Sequence, residues 1–277
     1  DMSNVTSMRS MFRGCNSLLS IDLSDMNIPN VIDMGNLFSE CSSLTSIDVS
    51  VLDTSNVEYM YNLFYKCTLL ETITLGGLFD SSNAISTEYM FYECTSLTSI
   101  DMSQIDTSSS ENVSGMFAYL DAMTTIDVSS MDVSKVKYMY DIFAGSSFVT
   151  IDLSTFNTPL LEDMSGMFNY SELLENIIFS SSLDTSNVEY MSYAFEGCVS
   201  LVSMDLSDFD FSSVLDLGSL FEDCILLECI TNIDSRNATD RDDMFDGCTA
   251  LINPIDLEVI DIEGSGGDDY VNGNACP

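Results

Sequence analysis

Residues 53–67 read Asp53-Thr54-Ser55-Asn56-Val57-Glu58-Tyr59-Met60-Tyr61-Asn62-Leu63-Phe64-Tyr65-Lys66-Cys67, and their pattern returns along the whole chain. Its fixed point is a phenylalanine: Phe12, Phe38, Phe64, Phe91, Phe117, Phe143, Phe168, Phe195, Phe221 and Phe245, spaced by 26, 26, 27, 26, 26, 25, 27, 26 and 24 residues. Self-similarity at such a period predicts a repeat solenoid, in which each coil buries its apolar face only against its neighbours. About ten coils of 26 residues occupy 1–257, and 258–277 are expected to be a strand and Gly-rich linker tail, a candidate cap.

The unit predicts its own local structure. Val57, Met60, Leu63 and Phe64 recur at three- and four-residue intervals, the period of a short helical or 3-10 segment with one buried face. Ser55 with Glu58, and Ser186 with Glu189, have the spacing of capping boxes. Ile21-Asp22-Leu23-Ser24 and Ile47-Asp48-Val49-Ser50 alternate apolar and polar residues as half-buried strands do. One strand and one helical turn per coil predict a single parallel β-sheet with helical segments opposite, about 4.8 Å per coil and roughly 48 Å for ten.

The spacing Leu18-x-x-Ile21-x-Leu23 resembles the leucine-rich-repeat consensus. The fuller unit is Asp53-Thr54-Ser55-Asn56-Val57, a Met-Phe or Leu-Phe pair, Cys67 three residues after Phe64, and Ser43 to Asp48. It resembles the 26-residue repeat of BspA-like microbial surface proteins and their lipoprotein relatives. That resemblance implies an extracellular or cell-surface protein, in some relatives an adhesive one.

Composition narrows the chemistry. The 277 residues hold 45 acidic against 7 basic side chains, a net charge of −38, and no His. Imidazole bases, Ser-His or Cys-His pairs and His-ligated metals are therefore excluded. So is nucleic acid as a partner, since seven scattered cations cannot neutralise a phosphate backbone. With 45% apolar residues the chain buries a core rather than staying a disordered polyanion, yet no apolar run reaches the roughly 18 residues of a membrane span, so no direct insertion is expected. Stacked identical carboxylates offer no single acid–base pair, and the expectation is a chain that is not an enzyme and needs no organic cofactor.

Equivalent positions of stacked coils form rows. Eleven residues before each Phe lie Asp1, Asn27, Asp53, Asp80, Asp106, Asp132, Asn157, Asp184, Asp210 and Asp234, placed to close Asx turns or, alternatively, to bind divalent cations. A second row, Asp22, Asp48, Asp101, Asp127, Asp152 and Asp205, faces outward from the strands. It reads either as a salt-screened acidic face or as a metal site taking Ca²⁺. A third row, Cys15, Cys41, Cys67, Cys94, Cys198, Cys224 and Cys248, has the period of the core and reads as stacked buried thiols, with Leu120, Ser146 and Ser171 in place of Cys in the middle coils. The two remaining cysteines, Cys229 and Cys276, are a candidate disulfide pinning the tail. Tyr59, Tyr138 and Tyr190, with Tyr65, Tyr92, Tyr119 and Tyr170, mark a surface for half-buried packing or lateral protein contact. Sequons at Asn4, Asn112, Asn169 and Asn237 are glycosylation sites only in a glycosylating organism.

The first coil carries Val5, Met8, Met11 and Phe12, as apolar as inner coils and without a polar cap; upstream residues or another molecule are expected to cover it. The leading expectation is thus a non-catalytic extracellular structural or assembly protein, self-associating head to tail or laterally as a filament or surface-layer block. The alternative is a surface adhesin that binds host or matrix proteins on its acidic face.

Overall fold

The protein is described by a computed structural model covering residue 2 and residues 4–251. Six short strands occur: β1 (Ser46–Asp48), β2 (Thr72–Thr74), β3 (Thr150–Leu153), β4 (Asn176–Phe179), β5 (Ser203–Asp205) and β6 (Cys229–Thr231). They pair in parallel as β1–β2, β3–β4 and β5–β6, with Ile47 beside Ile73, Ile151 beside Ile177 and Met204 beside Ile230. The expected alternation is present, since Ile151 and Leu153 are buried while Thr150 and Asp152 are exposed. The expectation of one sheet is corrected: the described strands form three two-stranded sheets.

Continuity lies elsewhere. A parallel bridge joins Ser7 to Asp33, Asp33 to Tyr59, and so on through Ser86, Asn112, Tyr138, Asp163, Tyr190 and Asp216 to Asp240. These residues sit five before each Phe, inside the segment whose spacing predicts a helix. That expectation is corrected too, because the single 3-10 helix among the described residues is Met102–Gln104, next to the strand position.

Hydrogen bonding explains the difference. With each Phe as position 0, the residues at −2 and +2 have φ between 52° and 70° in unit after unit: Asn36 and Glu40, Asn62 and Lys66, Tyr89 and Glu93, Gly115 and Tyr119. Each is the third residue of a turn closed from its first residue to its fourth, as by Leu37 N–H to the Met34 carbonyl and Cys41 N–H to the Phe38 carbonyl. A positive φ at the third residue is type II turn geometry. It points the N–H out of the unit, and the next unit accepts it: Asn36 donates to Tyr61, Glu40 to Tyr65, Asn62 to Glu88 and Lys66 to Tyr92. Linked turns put Val57, Met60, Leu63, Phe64 and Cys67 inward at three- and four-residue steps, as a helix would, so burial periodicity alone does not separate the two.

The core runs through all units as one cluster. At its centre the ten phenylalanines stack, with successive ring centroids 5.0–6.3 Å apart and planes within 3–17°. Phe38 through Phe221 are fully buried, whereas Phe12 and Phe245 are half-exposed.

Candidate interaction surfaces

The two Asp rows do the same local work. Asp53 accepts the backbone N–H of Ser55 at 3.2 Å, and Asp80, Asp106, Asp132, Asp184 and Asp210 accept the N–H two residues on at 2.8–3.0 Å. Asp234 accepts Arg236, whose guanidinium also pairs with it. This is the Asx turn expected from the sequence. In the outward row Asp22, Asp48, Asp101, Asp127, Asp152 and Asp205 likewise accept the N–H of the Ser two residues on, at 2.9–3.1 Å. All six are exposed. Hydrogen bonds from the partner serine hold Asp22, Asp53, Asp127, Asp132, Asp152, Asp184 and Asp210 below the ordinary carboxylate range. Among the described residues no three His, Cys, Asp or Glu side chains group as a metal cluster.

The thiol row is a hydrogen-bonding device. Cys41, Cys67, Cys94, Cys198, Cys224 and Cys248 each donate S–H to the Phe carbonyl of the preceding unit, at 2.9–3.2 Å. Ser146 and Ser171 donate O–H to Phe117 at 2.6 Å and to Phe143 at 2.9 Å. Serine in the middle units therefore replaces cysteine as the same kind of donor, while Leu120 makes no such bond. All seven row cysteines are free, five of them buried and Cys15 exposed. Burial pushes Cys41 up to about 11, and Cys67 and Cys198 up to about 12. Cys229, in β6, is half-buried and disulfide-bonded, and the expected partner Cys276 lies outside the described residues.

Two further rows escaped sequence reasoning. At −10, Thr54, Thr107, Thr158, Thr185 and Ser81 are buried, and each hydroxyl donates to the carbonyl of the Asp one unit on at 2.7–3.1 Å. In four of these pairs the hydroxyl also accepts that Asp's N–H. At −8, the carboxamides of Asn56, Asn83, Asn187 and Asn237 donate back to carbonyls of the unit before. The recurring Asp-Thr-Ser-Asn-Val holds both signals, but a hydroxyl or carboxamide that bonds an adjacent unit has no local mark that sets it apart in a Ser-rich chain.

The tyrosines gather more tightly than their spacing implies. Tyr65 and Tyr92 stack at 5.0 Å; Tyr89 meets both edge-on, and also Tyr140 at 6.0 Å; Tyr119 meets Tyr92 at 5.3 Å. Lys66 Nζ lies 5.3 and 5.9 Å from the ring centroids of Tyr65 and Tyr92 and pairs with Glu93 at 3.1 Å. Tyr140 donates to Glu88 at 2.6 Å. Tyr59, Tyr138 and Tyr190 occupy the bridge position instead, and Tyr170 bonds Glu196 at 2.6 Å further along. Of the sequons, Asn4 and Asn237 are exposed; Asn112 accepts the N–H of Ser114 and Asn169 donates to Glu196.

The family model described as "Mycoplasma protein of unknown function, DUF285" matches residues 1–96, 74–178 and 146–257. The chain belongs to this family. Its DUF285 matches run together over the span in which the repeat is legible, and the resemblance to 26-residue, leucine-rich-repeat-like microbial proteins stands. Three solved structures are similar. A leucine rich cell surface protein from Faecalibacterium prausnitzii is 18% identical, over 85% of this chain and 78% of that one, with a TM-score of 0.29. A leucine-rich repeat protein from Bacteroides ovatus is 20% identical, over 89% and 81%, at 0.27. Another from Eubacterium ventriosum is 12% identical, over 92% and 88%, at 0.37. No curated protein matches the chain. Among the described residues no helix is long and apolar enough to cross a membrane.

Proposed function

We propose that the chain is a non-catalytic structural building block of the cell exterior, a ten-coil solenoid over 1–257 that associates head to tail through its ends. One observation carries this reading. The carbonyls of Asp33, Gly35, Leu37 and Ser39 each accept an N–H from the unit before, as their equivalents do along the chain. The rings of Phe38, Phe64 and Phe91 stack across the same junctions, so units join through one repeated set of backbone bonds and a shared ring stack. A contact of that kind made between copies is head to tail and need not close. Met11, 46% exposed beside half-exposed Phe12, is the apolar residue on which such a contact can be tested. Sedimentation velocity over a wide concentration range tests this: the chain should grow into longer species, and Met11→Asp should keep it monomeric. A wild-type chain that stays monomeric throughout overturns the reading.

The exposed Asp row favours a second reading, an adhesin that holds a surface or matrix protein on its acidic face. The same row is proposed to take Ca²⁺ as counterion. Calcium should then raise the melting temperature, and a chelator that leaves both melting and assembly unchanged at low ionic strength removes the cation from the account. For the tail we propose the bridge Cys229–Cys276, read by non-reducing mass mapping.

A further inference from the structure

In the left-handed rows, large side chains alternate with glycine. At −2 the order is Tyr89, Gly115, Asp141, Gly166, and at +2 it is Tyr119, Gly145, Tyr170, Gly197. A Cβ on Gly115 would overlap the ring of Tyr89, and one on Gly145 the ring of Tyr119. The rings of Tyr89 and Tyr119 therefore lean over the following unit, while the Asp141 carboxylate lies over Gly166, its charge among those that push the Tyr89 and Tyr119 hydroxyls up after burial itself. All five clustered tyrosines are half-exposed. The Asp141 carboxylate is half-buried, accepts no hydrogen bond among the described residues, and is pushed up to about 6 by burial and the neighbouring Asp163.

Aromatic faces beside carboxylates recognise cations. This chain already uses them so: Lys66 lies over Tyr65 and Tyr92 with Glu93 as partner, and the Arg9 guanidinium lies 5.5 Å from the ring centroid of Tyr61. Around Tyr89, Tyr92 and Tyr119 the rings outnumber the resident cation, and Asp141 has none. A planar guanidinium that stacks on a ring and bonds a carboxylate with two N–H groups fits such a surface better than an ammonium does. A second copy is a poor source. Of seven cations per chain, Arg13, Lys66, Lys137 and Arg236 are already in ion pairs, and each copy carries −38.

We infer that the tyrosine cluster formed by Tyr65, Tyr89, Tyr92, Tyr119 and Tyr140, with Glu93 and Asp141, is a docking surface for an arginine-rich segment of another protein. The inference stands apart from end-to-end association, because the cluster lies in the middle units and away from either end. It also differs from adhesion on the outward Asp row, which faces elsewhere in the unit.

The test is titration of the full chain with a hexa-arginine peptide, read by tyrosine ring NMR shifts and calorimetry. Because a polyanion attracts any basic peptide, charge-matched variants decide. Tyr92→Leu, which leaves net charge unchanged, should weaken binding about tenfold, the scale of one desolvated cation–ring contact, and Tyr92→Phe should restore it. Lys66→Gln should tighten binding about threefold or more by vacating two rings and Glu93, the scale of an exposed cation–ring contact. Lys135→Gln, an exposed lysine elsewhere with the same charge change, should alter it less than about twofold. Equal effects of Lys66→Gln and Lys135→Gln, or full binding by a folded Tyr92→Leu, overturn the inference. So do ring shifts produced by a neutral oligosaccharide and not by the peptide.

Discussion

At position 146 a hydroxyl stands where most units have a thiol, and its neighbours depend on it. Ser146 donates to the Phe117 carbonyl at 2.6 Å, while its oxygen lies 3.4 Å from the Leu120 N–H. Ser146→Ala strips a buried acceptor of its donor and should cost about 1–3 kcal/mol in urea unfolding, whereas Ser146→Cys should stay within about 1 kcal/mol. Asp184 offers the matching test on the turn row. Asn27 and Asn157 are no guide there, because Pro29 and Pro159 two residues on have no N–H to give, but a carboxamide oxygen at 184 can still accept from Ser186, so Asp184→Asn should be nearly neutral and Asp184→Ala should lose about 1 kcal/mol with the turn acceptor. The thiols add a pH dependence. Their folded pKa values are raised by burial, to about 11 or 12 for Cys41, Cys67 and Cys198, against an ordinary thiol value of about 8.5 unfolded. Above about 8.5 the unfolded chain gives up protons that the folded chain keeps. Stability from this row is thus complete below that pH and falls as pH rises toward 11 or 12. At pH 8, thiol labelling followed by mass spectrometry should find exposed Cys15 modified well before buried Cys67 and Cys94.

The turns carry what the helix was expected to carry. Each left-handed residue other than Gly costs on the order of 1 kcal/mol, yet its N–H reaches the next unit, so the local cost is offset by an inter-unit bond that no single unit displays. This is why the sequence misleads at this scale. Val57, Met60 and Phe64 are buried as read, and the Asx turns form where Asp-x-Ser stands. Nothing local to Asn62 or Lys66, however, announces a positive φ. The legible clue is the glycine that recurs at these two positions, as Gly115 and Gly166 at −2 and Gly14, Gly145, Gly197 and Gly247 at +2. Gly115→Ala should destabilise by about 1–2 kcal/mol from backbone conformation alone, more if the Tyr89 ring cannot move, and Gly14→Ala, left-handed with open space, supplies the backbone-only comparison. The strands show a similar divide. Their alternation was visible in Thr150–Leu153, but pairing into separate sheets depends on neighbours and was not.

Across the whole molecule, Phe, Cys or Ser, Thr and Asn each bind the unit before or after, so stability is a sum of neighbour terms rather than of one central core. Removing an inner ring should therefore be felt on both sides. Phe117→Ala should cost about 3–5 kcal/mol, with hydrogen exchange rising in the two adjoining units before the distant ones. The repeat, its period and its core were legible because every unit repeats them. The tyrosine cluster was legible only in part, since its members sit at four different positions of the repeat and meet through the stacking of Tyr65, Tyr89, Tyr92, Tyr119 and Tyr140 across units. The central claim, a ten-coil rod that joins others through its ends, is tested most directly by electron microscopy of the purified full chain beside Met11→Asp. The account predicts filaments one chain wide, with an axial repeat of roughly 48 Å from ten coils of about 4.8 Å, and their loss in the variant. Monodisperse single rods at every concentration, identical in the two proteins, would contradict it.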